Sequence, residues 1–147
     1  MENEVKDRES HLGYEILRNQ VLPSILGKHE DDILYWAGKE VARQFPIFSM
    51  DELPEFFNQA GWGTLTIQEE KENTIIFRVD RSNDTTFQAS SCQLEAGFIA
   101  EQHQQLTKQL TECYGTKHIK EEIVTYEMKW DVRETLDEDS SFFFVWK

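Results

Sequence analysis

Cysteine and histidine are scarce in this chain. Two cysteines, Cys92 and Cys113, and four histidines are spread over 147 residues. A tetrahedral structural metal site needs four donors, and only Cys92, His103, Cys113 and His118 present themselves. Residues 91–114 read as one long helix, which places 92, 103 and 113 about three turns apart, too far for one ion to gather. The same helix separates the two thiols by about 30 Å, beyond the reach of a disulfide. Basic residues are also few, 15 against 28 acidic ones, for a formal charge of -13. That field repels phosphate backbones and anionic lipid heads, so nucleic-acid and membrane-surface roles are excluded. No segment approaches the roughly 18 apolar residues of a membrane span, and the N-terminus has no apolar run, so a soluble, cytoplasmic protein is expected. There is no Ser-His-Asp order, nucleophile elbow, Walker loop or dinucleotide fingerprint.

What is present is apolar and aromatic: 39% of residues are hydrophobic and 12% aromatic, enough for one packed core. Residues 1–11 read as a solvated lead-in and 12–147 as a single α+β domain. Leu17, Val21 and Ile25 recur at helical spacing, with Pro23 set to kink or end that helix near Val21 and Gly27 closing it. Asp31 or Asp32 is placed to cap a second helix, whose Ile33, Leu34, Ala37, Val41, Ala42 and Phe45 share one face until Pro46. Ser49 and Glu52 form a capping box with Phe48 and Leu53 as a hydrophobic staple; alternatively Asp51 caps, with Pro54 in the first turn. Phe56, Phe57 and Ala60 then face inward.

Asn58 to Ile67 is the most informative stretch. An indole stands between Gly61, suited to end a helix, and Gly63, suited to let a strand leave closely packed. Periodicity changes there from helical to alternating: Leu65 and Ile67, then Ile75, Phe77 and Val79 after a five-residue turn, predict a β-hairpin. Residues 81–84 read as loop. Ser90 and Gln93 offer a cap for the long helix, which carries no proline, with an apolar first half and a more exposed, glutamine-rich second half. Strands at Ile119–Trp130, with Val124, Tyr126, Met128 and Trp130 on one face, and at Ser141–Trp146 complete a four-stranded antiparallel sheet of two consecutive hairpins. The second of these is apolar on both faces and is placed inside the sheet.

This order of elements, with Gly61-Trp62-Gly63-Thr64-Leu65 opening a hairpin and Leu94-Glu-Ala-Gly-Phe-Ile-Ala100 opening a long helix, resembles the four-vinyl-reductase and TRAPP-subunit superfamily. Within it, residues 12–147 are similar to the YslB-like family of uncharacterised Bacillus-type proteins. The resemblance implies an α+β sandwich of antiparallel strands against helices, often dimeric and often with a hydrophobic pocket for a small apolar or lipid-like ligand. Haem-binding relatives of this fold carry a Tyr-x-Ser-x-Arg signature, and Tyr126-Glu-Met-Lys-Trp130 lacks both the serine and the arginine. Acylated TRAPP subunits direct attention to Cys92 as a covalent or lipid site, against its reading as a small buried hydrophobe. Trp36, Phe56, Trp62 and Phe98 could line an apolar pocket or be ordinary core. Ala96, Gly97 and Ala100 allow close approach of another helix, within the subunit or across a dimer.

Glu95, in the apolar half of the long helix, is the one carboxylate whose burial could suit general-acid chemistry, against a cap or salt bridge. No residue is assigned as catalytic, metal-binding or cofactor-binding. The leading expectation is a non-catalytic domain that binds a small apolar ligand or a protein partner as a homodimer. A structural adaptor whose acidic surface meets a basic partner is the first alternative, and an enzyme using Glu95 or Cys92 the second.

Overall fold

In the computed structural model, residues 11–135 apart from 83, 85 and 88 are described. The expected strand at Ser141–Trp146 and all but the last residue of the lead-in at 1–11 lie outside them. A first helix, α1, covers residues 11–26. Pro23 does not end it. The ladder loosens just ahead, in a π turn at Leu17–Val21 closed by Leu22 N–H donating to Leu17 O, and the wider turn accommodates the ring. Helix α2 follows at Glu30–Gln44, with Glu30, Asp31 and Asp32 in its first turn and no side-chain cap. The expected Asp31 or Asp32 cap is therefore replaced by three carboxylates near the positive end of the helix dipole.

Ser49 Oγ accepts from Asp51 N and Glu52 reaches back to Phe48 N, 2.8 Å away. This is a capping box displaced by one residue ahead of helix α3, Leu53–Ala60, with Pro54 in its opening turn. Phe48 points into solvent, 87% exposed, and makes no staple. Gly61 ends α3 at φ 74°. Gly63, at φ 108°, passes so near the second strand that a Cβ would lie 2.6 Å from Asp80 O. Both conformations favour glycine.

Strands β1 (Thr64–Lys71) and β2 (Thr74–Asp80) form the predicted hairpin. Its turn is tighter than expected, only Glu72 and Asn73, and β1 carries a bulge at Gln68. Helix α4 spans Gln93–Thr107, where the predicted long helix stops short. Lys108 adopts φ 62° and turns the chain into β3, Gln109–His118, which pairs with β4, Ile123–Thr135. The second hairpin is therefore β3–β4, and the strand missing from the prediction was hidden in the second half of the expected helix. The sheet order is β1-β2-β4-β3, so β4 returns to pair with β2.

Among the described residues the helices lie on one face of the sheet, where Leu65, Phe77, Val79, Cys113, Val124, Tyr126 and Met128 are buried beneath α3 and α4. Helices α2 and α4 cross at two glycines. A Cβ on Gly38 would lie 1.9 Å from Leu94 O, and one on Gly97 1.9 Å from Tyr35 O. The small-residue patch on α4 thus serves an approach within the subunit. The buried line of α2 is Leu34, Gly38 and Ala42, while Ile33 and Phe45 of the expected face are exposed.

The Gly97→Ala substitution forces two backbones apart and should lower unfolding free energy by about 3 kcal/mol or more. Gly13, on α1 with nothing within 4 Å of a Cβ, is the contrast: Gly13→Ala should stabilise by about 0.5–1 kcal/mol. Urea denaturation of the two variants beside the parent chain checks both signs.

Candidate functional site

The aromatic residues singled out above separate into two places. Phe56, Trp62 and Phe98 form a solid cluster, with ring centroids 4.4 Å apart for Phe56–Phe98, 5.2 Å for Trp62–Phe98 and 5.6 Å for Phe56–Trp62. Phe57 closes a further side, 5.2 Å from Trp62. These rings fill one another's space and act as core. Trp36 does not join them. It is 47% exposed and, among the described residues, its ring neighbour is Tyr35.

Trp36 instead lines a cleft of about 600 Å³ between α2 and the β3–β4 hairpin. Asp31, Asp32, Tyr35 and Trp36 form the helix wall; Glu112, Cys113, Tyr114, Glu127 and Lys129 form the strand wall, with Gln93 between them. Both patterns follow from local periodicity. Asp31 and Tyr35, and Asp32 and Trp36, are four apart on the helix, whereas Glu112 and Tyr114 alternate with buried Cys113 on the strand. Tyr35 ties the walls together, accepting from Cys113 N at 3.3 Å. Burial pushes the Tyr35 phenol up to about 12, against a smaller opposing effect of that backbone donor. The hydroxyl therefore stays protonated at neutral pH.

The outward edge of β3 is closed by side chains. Gln93 donates to Gly115 O at 2.8 Å and accepts from Gly115 N at 3.1 Å. Gln104 accepts from Thr111 N at 3.1 Å, and Tyr35 serves Cys113 N between them. The amides of α4 thus act as a surrogate strand. Gln102 does similar work elsewhere, accepting from Ile47 N at 3.1 Å and donating to Phe45 O at 2.8 Å where α2 ends. Of the half expected to be more exposed, Gln102, His103 and Gln104 are buried, while Leu106, Thr107 and Lys108 face solvent.

Glu95 is fully buried in a charge cluster. Arg18, projecting from the π turn, donates to Glu95 Oε1 at 3.1 Å, and Arg81 donates to Oε2 at 3.3 Å. Arg18 also donates to Ser91 O at 2.8 Å and Tyr14 Oη at 3.0 Å, while Arg81 pairs with Asp84 and donates to Thr86 Oγ1 at 2.8 Å. The carboxylate is thus held between two guanidiniums, the salt-bridge reading of Glu95. Arg81 and Asp84, read from sequence as loop, are the half of this cluster that composition concealed.

Cys92 is buried, with its Sγ within 2.9 Å of where a Gly115 Cβ would stand, and Tyr126 donates to its carbonyl at 3.1 Å. Burial pushes its thiol up to about 11. Such a thiol is a small packing group at neutral pH and a poor nucleophile. Burial also raises the Cys113 thiol. Because the chain reverses at Lys108, the two cysteines do not share a helix; Cys92 packs against the strand that carries Cys113. Helical spacing therefore does not set the distance between the two thiols, and among the described residues no three His, Cys, Asp or Glu side chains converge to hold a metal ion. No helix among them is long and apolar enough to cross a membrane.

Comparison with known proteins places these features in a family. Residues 11–129 match the family described as Protein of unknown function (DUF2507). The chain is 42% identical over 125 residues to Uncharacterized protein YslB of Bacillus subtilis (strain 168), covering 82% of this chain and 84% of that one. Among solved structures it is similar to a vinyl-4-reductase family protein from Methanocaldococcus jannaschii, with a TM-score of 0.52 and 15% identity over 67% of this chain and 68% of that one. That likeness is one of fold, as expected from the glycine-flanked tryptophan and the long helix. A further similarity is to a trafficking protein particle complex subunit 3 from Naegleria fowleri covalently bound to palmitic acid, with a TM-score of 0.46 and 9% identity over 78% of this chain and 84% of that one.

Removing the Glu95 carboxylate would leave Arg18 and Arg81 facing each other out of water. Glu95→Gln should therefore cost about 3–5 kcal/mol of stability. Thermal and urea unfolding measure it; a loss under about 1 kcal/mol would mean that the cluster is solvated rather than buried.

Proposed function

The chain belongs to the DUF2507 family, and from that premise we propose that it is a non-catalytic binding domain whose recognition surface is the cleft between α2 and the β3–β4 hairpin. The observation that carries this reading is the division of the aromatics. Phe56, Trp62 and Phe98 spend their surface on one another, whereas Trp36 and Tyr114, 47% and 66% exposed, flank about 600 Å³ of open volume. A cleft of that size suits a small ligand or the tip of a partner. The ligand is therefore sought on the amphipathic cleft walls rather than inside the aromatic core. Glu95, engaged by two arginines, and Cys92, with its raised thiol, support a role without catalysis. Free, buried thiols at Cys92 and Cys113 suit the cytoplasm.

The test is fluorine NMR of protein carrying 5-fluorotryptophan, with the Trp36 signal identified from Trp36→Phe. A fragment library should contain compounds that move the Trp36 resonance and leave Trp62 in place. Fragments that move Trp62 alone would put the ligand in the aromatic core and sink the cleft assignment.

A second reading, homodimer formation, rests on Leu12 and Ile16, one helical turn apart on α1 and both facing solvent at 55% and 47% exposure. Light scattering after size exclusion should give twice the chain mass for the parent and the single-chain mass for Leu12→Asp/Ile16→Asp. A parent that elutes as a monomer at high micromolar concentration removes the dimer.

A further inference from the structure

The chemistry of the cleft walls identifies a class of occupant. Resting on the binding reading above, we propose that the cleft takes an extended organic cation, in which ammonium groups are joined by short apolar spacers as in a linear aliphatic polyamine.

Carboxylates stand on both walls: Asp31 and Asp32 on the first turn of α2, Glu112 on β3 and Glu127 on β4. Lys129 is the cation among the lining residues, and it pairs with Glu127 at 3.2 Å. The walls therefore keep an excess of negative charge within a chain of formal charge -13, which turns anions away. The charges are also spread. Among the described residues no three acidic, cysteine or histidine side chains come together as a point-ion site, so the cleft suits several separated positive charges rather than one metal ion. Tyr35, Trp36 and Tyr114 line the same cleft, and aromatic rings accept methylene groups and attract ammonium groups through their quadrupoles.

The chain itself supplies an example of this recognition. Lys39 Nζ sits 5.0 Å from the Tyr35 ring centroid and 4.9 Å from that of Trp36. Burial lowers its pKa, while Glu101 and Glu112 act in the opposite direction. An alkyl ammonium is thus already seated on the aromatic wall, within the field of a cleft carboxylate. An added polyamine would repeat that arrangement along the remainder of the wall.

Isothermal titration of the full chain with spermidine at physiological salt tests the assignment. One saturable site is expected. Trp36→Ala and Glu112→Gln should each weaken it by about tenfold or more, about 1.4 kcal/mol, with circular dichroism unchanged. Glu69→Gln/Glu70→Gln, which removes two charges from β1 away from the cleft, should change affinity by less than about twofold. Equal weakening by that control would reduce the effect to diffuse counterion attraction and overturn the proposal, as would full competition by Mg²⁺ at matched charge. Binding of a lysine-rich peptide without binding of spermidine would also overturn it, in favour of a basic protein partner. Fluorotryptophan spectra separate the two levels of the argument. Neutral fragments that move Trp36 while spermidine does not leave the cleft standing and remove the polycation; if no compound moves Trp36, both fall.

Discussion

A helix buried on nearly every side cannot carry glutamines, two glutamates and a histidine unless each finds its partner inside the protein. Helix α4 meets that constraint, with eleven of its fifteen residues buried, and the rest of the structure is arranged around it. Unpaired, each such group would cost on the order of 1–3 kcal/mol, more for a charge. The partners are backbone groups that other elements leave over. Gln93 and Gln104 take the free edge of β3, and Gln102 takes the chain as it leaves α2. Glu95 takes two arginines from distant segments, and His103 takes Thr111 Oγ1 at 2.9 Å while its ring lies 4.6 Å from that of Trp130. The helix is a polar keel inside an apolar hull.

That arrangement explains what could be read from the residues alone. Punctuation was legible where it is steric: Gly61 and Gly63 fix the passage from α3 to β1, and alternation in Ile75, Phe77 and Val79 fixes β2. The α4–β3 reversal was not legible, because Lys108 takes a left-handed conformation without glycine or proline to announce it. Nor was the burial of Gln102 and Gln104, since a glutamine bonded to a strand edge and one bonded to water have the same letter. Side-chain polarity reports the need for a partner and says nothing about who supplies it.

The cleft was half legible for a similar reason. Trp36 stands out in the sequence for its aromatic ring, but its neighbours depend on β3, whose residues read as helix. Once β3 is a strand, Glu112 and Tyr114 point away from the core and Cys113 into it. Of the two readings left open for Phe56, Trp62 and Phe98, their mutual ring packing fits ordinary core. The walls of the open cleft are amphipathic and carry four carboxylates against one lysine, in keeping with the acidic composition.

The ion cluster also bears on how the chain is made. Arg18 meets Glu95 across 77 positions of sequence. At a synthesis rate of about 5–20 residues per second, that gap corresponds to roughly 4–15 s between the emergence of Arg18 from the ribosome and that of Glu95. Until then the guanidinium that will lie in the core is a solvated cation on a segment without the packing that gives most helices their stability. Helix α1 therefore docks through Arg18 only after α4 has emerged, and α4 is the berth it waits for.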